Sequence, residues 1–336
     1  MKKRTQKKPV NIKAFFNDLV RLDRKLLFLL LLTVFISFFV SQKSLFVITS
    51  TGVVFGIKTK ALEEPVINSS PISLPDPSFY PKKITDAPAP YVSAASAIVI
   101  DADSQVILYQ KNQDVRFPPA STTKIMTALV GMDYFKLDDI LQVPQITTEG
   151  VKIGLVSKEQ ISFESLLYGL LLNSGNDAAE TIAKNVPGGL DAFVLNMNIK
   201  AKELNLINTH FVDTTGMAFE NHYTTAIDLA RLASVALKNQ ELVKVVATKR
   251  MTVSDVTGAH VYNLENLNKL LSEVAGADGI KTGYTEEAGQ VLVAAATRDK
   301  HTIVTVVLKS EDRFLDSKNL LEWAFANYTF TPATTL

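Results

Sequence analysis

The sequence predicts an α+β fold, a mostly antiparallel sheet flanked by helices plus an all-helical subdomain, behind an N-terminal transmembrane helix. Three observations carry that expectation. Strand-like runs lie at both ends of residues 92–336, helical periodicity fills most of the stretch between them, and an uncharged apolar run precedes both. With 336 residues, 47% apolar content and only 13 Pro and 15 Gly, the chain is long enough to bury a sizeable core. It has no cysteine, so disulfides and thiolate metal sites are excluded and the fold must hold through its core.

Residues 1–25 carry nine Lys or Arg against Asp18 and Asp23; since the whole chain has a net charge of only +1, the remainder is acidic by about six charges. From Leu26 to Gln42 there is no charged residue. That length is at the lower end of the spanning range, and Ser44 to Ile57 extends it if Lys43 snorkels. The basic flank orients such a helix with its N-terminus in the cytoplasm and the rest outside. A long run with no Ala-x-Ala after it favours an uncleaved anchor over residues 26–57 rather than a signal peptide. The expected location is therefore the cell membrane, single-pass, with the following domain extracytoplasmic. Residues 58–91 contain seven of the prolines, at 65, 71, 75, 77, 81, 88 and 90. Such a segment reads as an extended linker, about 3.1 Å per residue and up to about 100 Å in reach.

Ala97 to Tyr109 reads as a hairpin around Asp101-Ala102-Asp103-Ser104 and opens the sheet. Helices are expected over Ser121–Asp133, Phe163–Leu172, Asp177–Asn185, Leu190–Leu204 and Thr225–Lys238, the last with Thr225 as cap and Asp228 three residues on. Gln290–Thr297 and His301–Lys309 are strands around Arg298-Asp299-Lys300, and Asn319–Asn327 is helical. Strands from both ends of the domain then share one sheet.

Three motifs stand in order: Ser121-Thr122-Thr123-Lys124, Ser174-Gly175-Asn176 and Lys281-Thr282-Gly283. Each is weak alone, and Ser-x-Asn recurs at Ser317 to Asn319 without evident role. The ordered triple is the pattern of a serine acyl-transfer site. Pro118-Pro119-Ala120 suits a helix entry, which puts Ser121 in the first turn and Lys124 one turn on, about 5–6 Å away at Cβ. A serine hydroxyl needs a base, and a lysine serves only if burial or a nearby cation disfavours its charged form; Lys281 is the expected cation. The helix N-terminus favours charge developing on a substrate oxygen, with the Ser121 N–H as one donor. Ser174 can relay a proton, and Asn176 can orient Lys124 or a substrate amide; the plain alternative for both is helix capping. Lys281 and Thr282 form a clamp for an anionic end group such as a carboxylate, and Gly283 lets a substrate backbone lie close.

The words around these motifs extend the pattern: Pro119 to Thr127, Leu172 to Ala179, Asn208-Thr209-His210-Phe211, His222 to Ala226 and Asp278 to Thr285. Over residues 92–330 the chain resembles a low-molecular-mass penicillin-binding protein of the serine D-Ala-D-Ala carboxypeptidase family. The resemblance implies a β-lactamase/transpeptidase-like fold over 92–336 and removal of the terminal D-alanine from a peptidoglycan stem pentapeptide through an acyl-enzyme on Ser121. It further implies trapping by β-lactam antibiotics and Tyr284 N–H as second oxyanion donor. Neither a cofactor nor a nucleic acid partner is expected, and four scattered histidines give no support for a metal. Two departures stand out. The family usually carries a β-rich second domain and a C-terminal amphipathic anchor, so anchoring is expected at the N-terminus here. Asp213-Thr214-Thr215-Gly216-Met217 replaces the usual Asn-Pro-x-Gly-Leu. The rival readings are a β-lactamase, for which Glu203 and Glu220 lack the surrounding words, an inactive binding protein, and an endopeptidase with the same site.

Overall fold

The computed structural model describes residues 79–218 and 220–333, so the expected basic segment, the anchor and the linker up to residue 78 lie outside the described residues. The chain divides into two units, Met1–Ile67 and Asn68–Leu336, and everything described belongs to the second. Among the described residues no helix is long and apolar enough to cross a membrane.

Five strands make the central sheet: β2 (Ser96–Asp101), β3 (Ile107–Lys111), β8 (Ala277–Thr285), β9 (Gly289–Arg298) and β10 (His301–Ser310), in the order β3-β2-β10-β9-β8 and antiparallel throughout. The three inner strands are buried on both faces, which is why they read as continuous apolar runs rather than alternating ones. Ile98, Ile100, Val291, Val293, Val304 and Val306 point into one core. Ala97, Val99, Leu292, Ala294, Ile303 and Val307 point into the other. The second core is closed by the long C-terminal helix Arg313–Asn327 through Leu320, Leu321 and Ala324. The sheet is thus sandwiched between two helical layers, as an α+β fold with a central antiparallel sheet requires.

On the first face lie α1 (Lys124–Tyr134), α2 (Phe163–Leu171), α3 (Asn176–Lys184), α4 (Gly189–Glu203), α5 (Ala226–Ala236) and α6 (Gln240–Ala247). Their starts are set locally. Ser162 caps α2, Thr225 caps α5 by accepting from Asp228 N–H as its spacing predicts, and Asn239 caps α6. Two small antiparallel pairs, β4 (Ile140–Gln142) with β5 (Gln160–Ser162) and β6 (Arg250–Ser254) with β7 (Val261–Glu265), flank this helical part, and a single turn, α7 (Leu270–Glu273), leads into β8.

One boundary differs from the sequence reading. The linker does not run to residue 91, because β1 (Phe79–Lys83) pairs with β11 (Tyr328–Pro332), which follows the C-terminal helix, now α8. Phe330 stacks on His301 at 4.1 Å and Phe79 meets the same ring edge-on at 5.0 Å. A proline-rich composition hid the strand, since Pro81 is tolerated in a pair that has a free outer edge.

Candidate active site

Ser121 sits in a 3-10 turn, Ala120–Thr123, that runs into α1 at Lys124. Ala120 holds φ +48°, a left-handed conformation that is strained for a residue with a Cβ and typical of functional turns. The turn is fixed by Thr122 Oγ1 donating to Pro119 O at 2.6 Å and Thr123 Oγ1 donating to Ala120 O at 2.9 Å. Lys124 Nζ reaches Ser121 Oγ at 3.1 Å and donates to Thr215 O at 2.9 Å.

The edge strand β8 passes directly over this turn. A Cβ on Gly283 would lie 3.0 Å from Ala120 Cβ and 3.1 Å from Ser121 N, so glycine lets the strand come this close without displacing the turn by a few tenths of an ångström. The same holds below: a Cβ on Gly216, already at φ +85°, would fall 1.8 Å from Ala120 O. The loop that departs from the family pattern therefore packs on the nucleophile's turn. Asp213 ties it by accepting from the N–H groups of Thr215, Gly216 and Ala218.

Lys124 and Lys281 are both fully buried, and no carboxylate among the described residues lies within ion-pair distance of either amine. Burial lowers Lys124 to about 7, partly opposed by the more distant Asp213 and Asp177. Burial first, then Lys124 and Arg313, hold Lys281 well below the ordinary lysine range. Of the two causes the sequence leaves open for Lys124, burial or the Lys281 cation, burial is the dominant one. Arg313, at the start of α8, donates to Gly283 O at 2.7 Å and adds a third cation.

Ser174 and Gly175 lie in the expected loop between α2 and α3, and Asn176 is the first residue of α3. Ser174 has φ +62° and is buried, and its hydroxyl makes no hydrogen bond to the described residues. It does not cap α3, whose N-cap is Gly175 with no side-chain bond. Asn176 Nδ2 donates to Glu149 O at 2.5 Å and makes no hydrogen bond to Lys124. Behind the loop, Asp177 accepts from the N–H groups of Ile153, Gly154 and Leu155. Tyr284 is exposed beyond Gly283 on β8.

Sequence reasoning missed Arg313, Asp213, Thr215 and the reach of His222. His210 Nδ1 bonds Asn221 O as expected of a loop residue. His222 goes further: Val212 N–H donates to its Nδ1 at 3.5 Å, which leaves the proton on Nε2, 3.0 Å from Thr123 Oγ1. Burial pushes His222 down to about 4, so this ring is neutral at pH 7.

A hydroxyl beside a buried amine, on a strained turn faced by an edge strand, defines a serine hydrolase of the acyl-transfer type. The sequence profile of the D-alanyl-D-alanine carboxypeptidase family matches residues 83–312, and the chain belongs to that family. It is 35% identical over 249 residues to the D-alanyl-D-alanine carboxypeptidase DacF of Bacillus subtilis, covering 71% of this chain and 64% of that relative's length. It is 34% identical to a D-alanyl-D-alanine endopeptidase of Pseudomonas aeruginosa, over 69% of this chain and 77% of the relative. Among solved structures, the Streptomyces K15 DD-transpeptidase superimposes with a TM-score of 0.68 at 33% identity, covering 71% of this chain and all of that one.

Proposed function

We propose that this protein is a serine-type D-Ala-D-Ala carboxypeptidase acting on peptidoglycan stem pentapeptides, inhibited by β-lactams that acylate the same serine. The observation that carries the reading is Lys124: an amine with pKa about 7, 3.1 Å from Ser121 Oγ, with no paired carboxylate. Lys281 and Thr282 receive the substrate's terminal carboxylate, whose charge draws a proton onto Lys281 and disfavours a second one on Lys124. Neutral Lys124 takes the Ser121 proton, and Oγ bonds to the scissile carbonyl carbon. The N–H groups of Ser121 and Tyr284 hold the oxyanion, a contribution of about 100-fold to 1000-fold per donor. Collapse breaks the C–N bond, the proton returns to the amine of the leaving D-alanine through Lys124 or Ser174, and water then releases the peptide.

A second reading, endopeptidase action on D-amino cross-links, is favoured by the similarity to the Pseudomonas aeruginosa enzyme. Initial rates on linear pentapeptide against cross-linked muropeptide dimer separate the two. For the location, the basic residues 1–25 and the apolar run over 26–57 support an N-terminal single-pass anchor with the enzyme outside the membrane; release of the protein into the soluble fraction by deletion of residues 1–57 tests it.

The primary test is the intact mass of the protein after benzylpenicillin, beside Ser121→Ala, with D-alanine release from a pentapeptide measured in parallel. A stoichiometric adduct and release, both lost in Ser121→Ala, are expected. Drug hydrolysis without adduct points to a β-lactamase, and neither adduct nor hydrolysis to an inactive binding protein.

A further inference from the structure

Away from Ser121, three side chains from separate elements converge. Glu159 precedes β5, Asp255 opens the turn of the β6–β7 hairpin and His260 closes it. One ligand atom from each lies within 4.8 Å of the other two. His260 Nδ1 is 3.1 Å from Glu159 Oε2 and 3.7 Å from Asp255 Oδ2. These separations bracket the edge of about 3.4 Å that ligands at 2.0–2.2 Å make around a tetrahedral zinc ion.

Three features go beyond proximity. Nδ1 is buried yet makes no hydrogen bond, so its lone pair or proton does not lie along the line to the nearby carboxylate, as in an imidazole that shares a metal with that oxygen. The two carboxylates are buried, and no Lys or Arg among the described residues pairs with either, so their charge lacks a permanent counter-ion. Glu159 is also held as ligating carboxylates are: Tyr262 Oη donates to both its oxygens at 2.8 Å, and Val156 N–H to Oε1 at 3.1 Å.

We propose that Glu159, Asp255 and His260 bind one divalent transition metal of the zinc class as a structural clip. One imidazole and two carboxylates suit zinc or manganese better than calcium, which takes oxygen alone. The clip joins the β6–β7 turn to the start of β5, where the Val256 N–H bond to Gln160 O, 2.8 Å, already connects them. At its other end the same hairpin touches the Ser174 loop, through Glu265 N–H on Asn173 Oδ1 at 2.7 Å. The metal takes no part in the serine chemistry.

The test uses the purified full chain, stripped with EDTA and freed of chelator, titrated with zinc chloride by calorimetry and followed by thermal unfolding. One zinc per chain and a rise in Tm are expected. His260→Ala should weaken binding by more than about 100-fold, and Tyr262→Phe by about 10–100-fold with stoichiometry kept. Benzylpenicillin acylation, unchanged in His260→Ala, verifies that the variant is folded; if it is not, Glu159→Gln, which keeps the side chain's shape, takes its place. Absence of saturable zinc binding overturns the proposal, leaving a simple histidine–carboxylate ion pair. So does binding undiminished in the folded variant, which would place the ion on other groups.

Discussion

At the scale of single residues, the chemistry rests on two amines removed from water. The base form of Lys124 exists above its pKa of about 7 and is lost below it. The second-order rate of benzylpenicillin acylation should therefore rise with pH through an inflection near 7 and fall by about tenfold per unit on the acid side. A flat profile from pH 5 to 9 would remove Lys124 as the base. Gly283→Ala probes the other contact: its new Cβ meets Ala120 and Ser121 N at 3.0–3.1 Å, so β8 and the nucleophile's turn must separate by a few tenths of an ångström. Acylation should drop on the order of 100-fold, with the circular dichroism spectrum unchanged. The motifs made Ser121, Lys124, Ser174 and Lys281 legible because each sits in a fixed local frame. Arg313 left no trace in any motif and Thr215 stands only in the segment that departs from the family pattern, since both come to the site through tertiary packing of α8 and of the 213–218 loop. The 3-10 turn reads as helix because i and i+3 neighbour each other in both forms; what distinguishes it is the i to i+3 hydrogen bonding, Thr122 N–H to Pro119 O and Lys124 N–H to Ser121 O, which no residue type announces.

At the scale of elements, buried carboxylates act as clips for irregular backbone. Asp177 at the start of α3 takes three N–H groups from residues 153–155, and Asp316 in α8 takes those of Ser93 and Ala94 with the hydroxyls of Ser93 and Ser310. Asp177→Ala leaves three donors without an acceptor and should cost about 2–4 kcal/mol in urea unfolding. It should also slow acylation, because that loop carries the Glu149 carbonyl that positions Asn176. A loss below 1 kcal/mol would show that water replaces the carboxylate. The long helices and the three inner strands were legible from periodicity and from apolar runs too short for a buried helix. The β4–β5 pair was not, because three-residue strands separated by seventeen residues carry no pattern. For β6 and β7 the alternation on either side of Asp255 to Gly258 is present in the sequence, but the sequence reading assigned no strand there.

At the scale of the whole molecule, the two ends of the described domain are bound to each other. A chain beginning at residue 92, the boundary that composition suggests, lacks β1 and leaves β11 unpaired; one beginning at residue 79 keeps both. The shorter form should unfold several degrees lower, roughly 2–4 °C per kcal/mol lost, while acylating at a similar rate. Equal melting temperatures would make β1 an ornament of the linker. The deepest of these long-range pairings is in the catalytic sheet itself, where Asp101 lies opposite Ile303. A ribosome adding about 5–20 residues per second delivers β10 some 10–40 s after β2. Throughout that interval the β2–β3 hairpin has its inner edge, and the face that α8 later covers, without partners. Since β9 and β8 join β2 only through β10, Lys281 cannot reach Ser121 until β10 has emerged. The nascent chain is thus chemically silent while it is most exposed to aggregation, and the competence to react with a penicillin marks the arrival of β10 in the sheet.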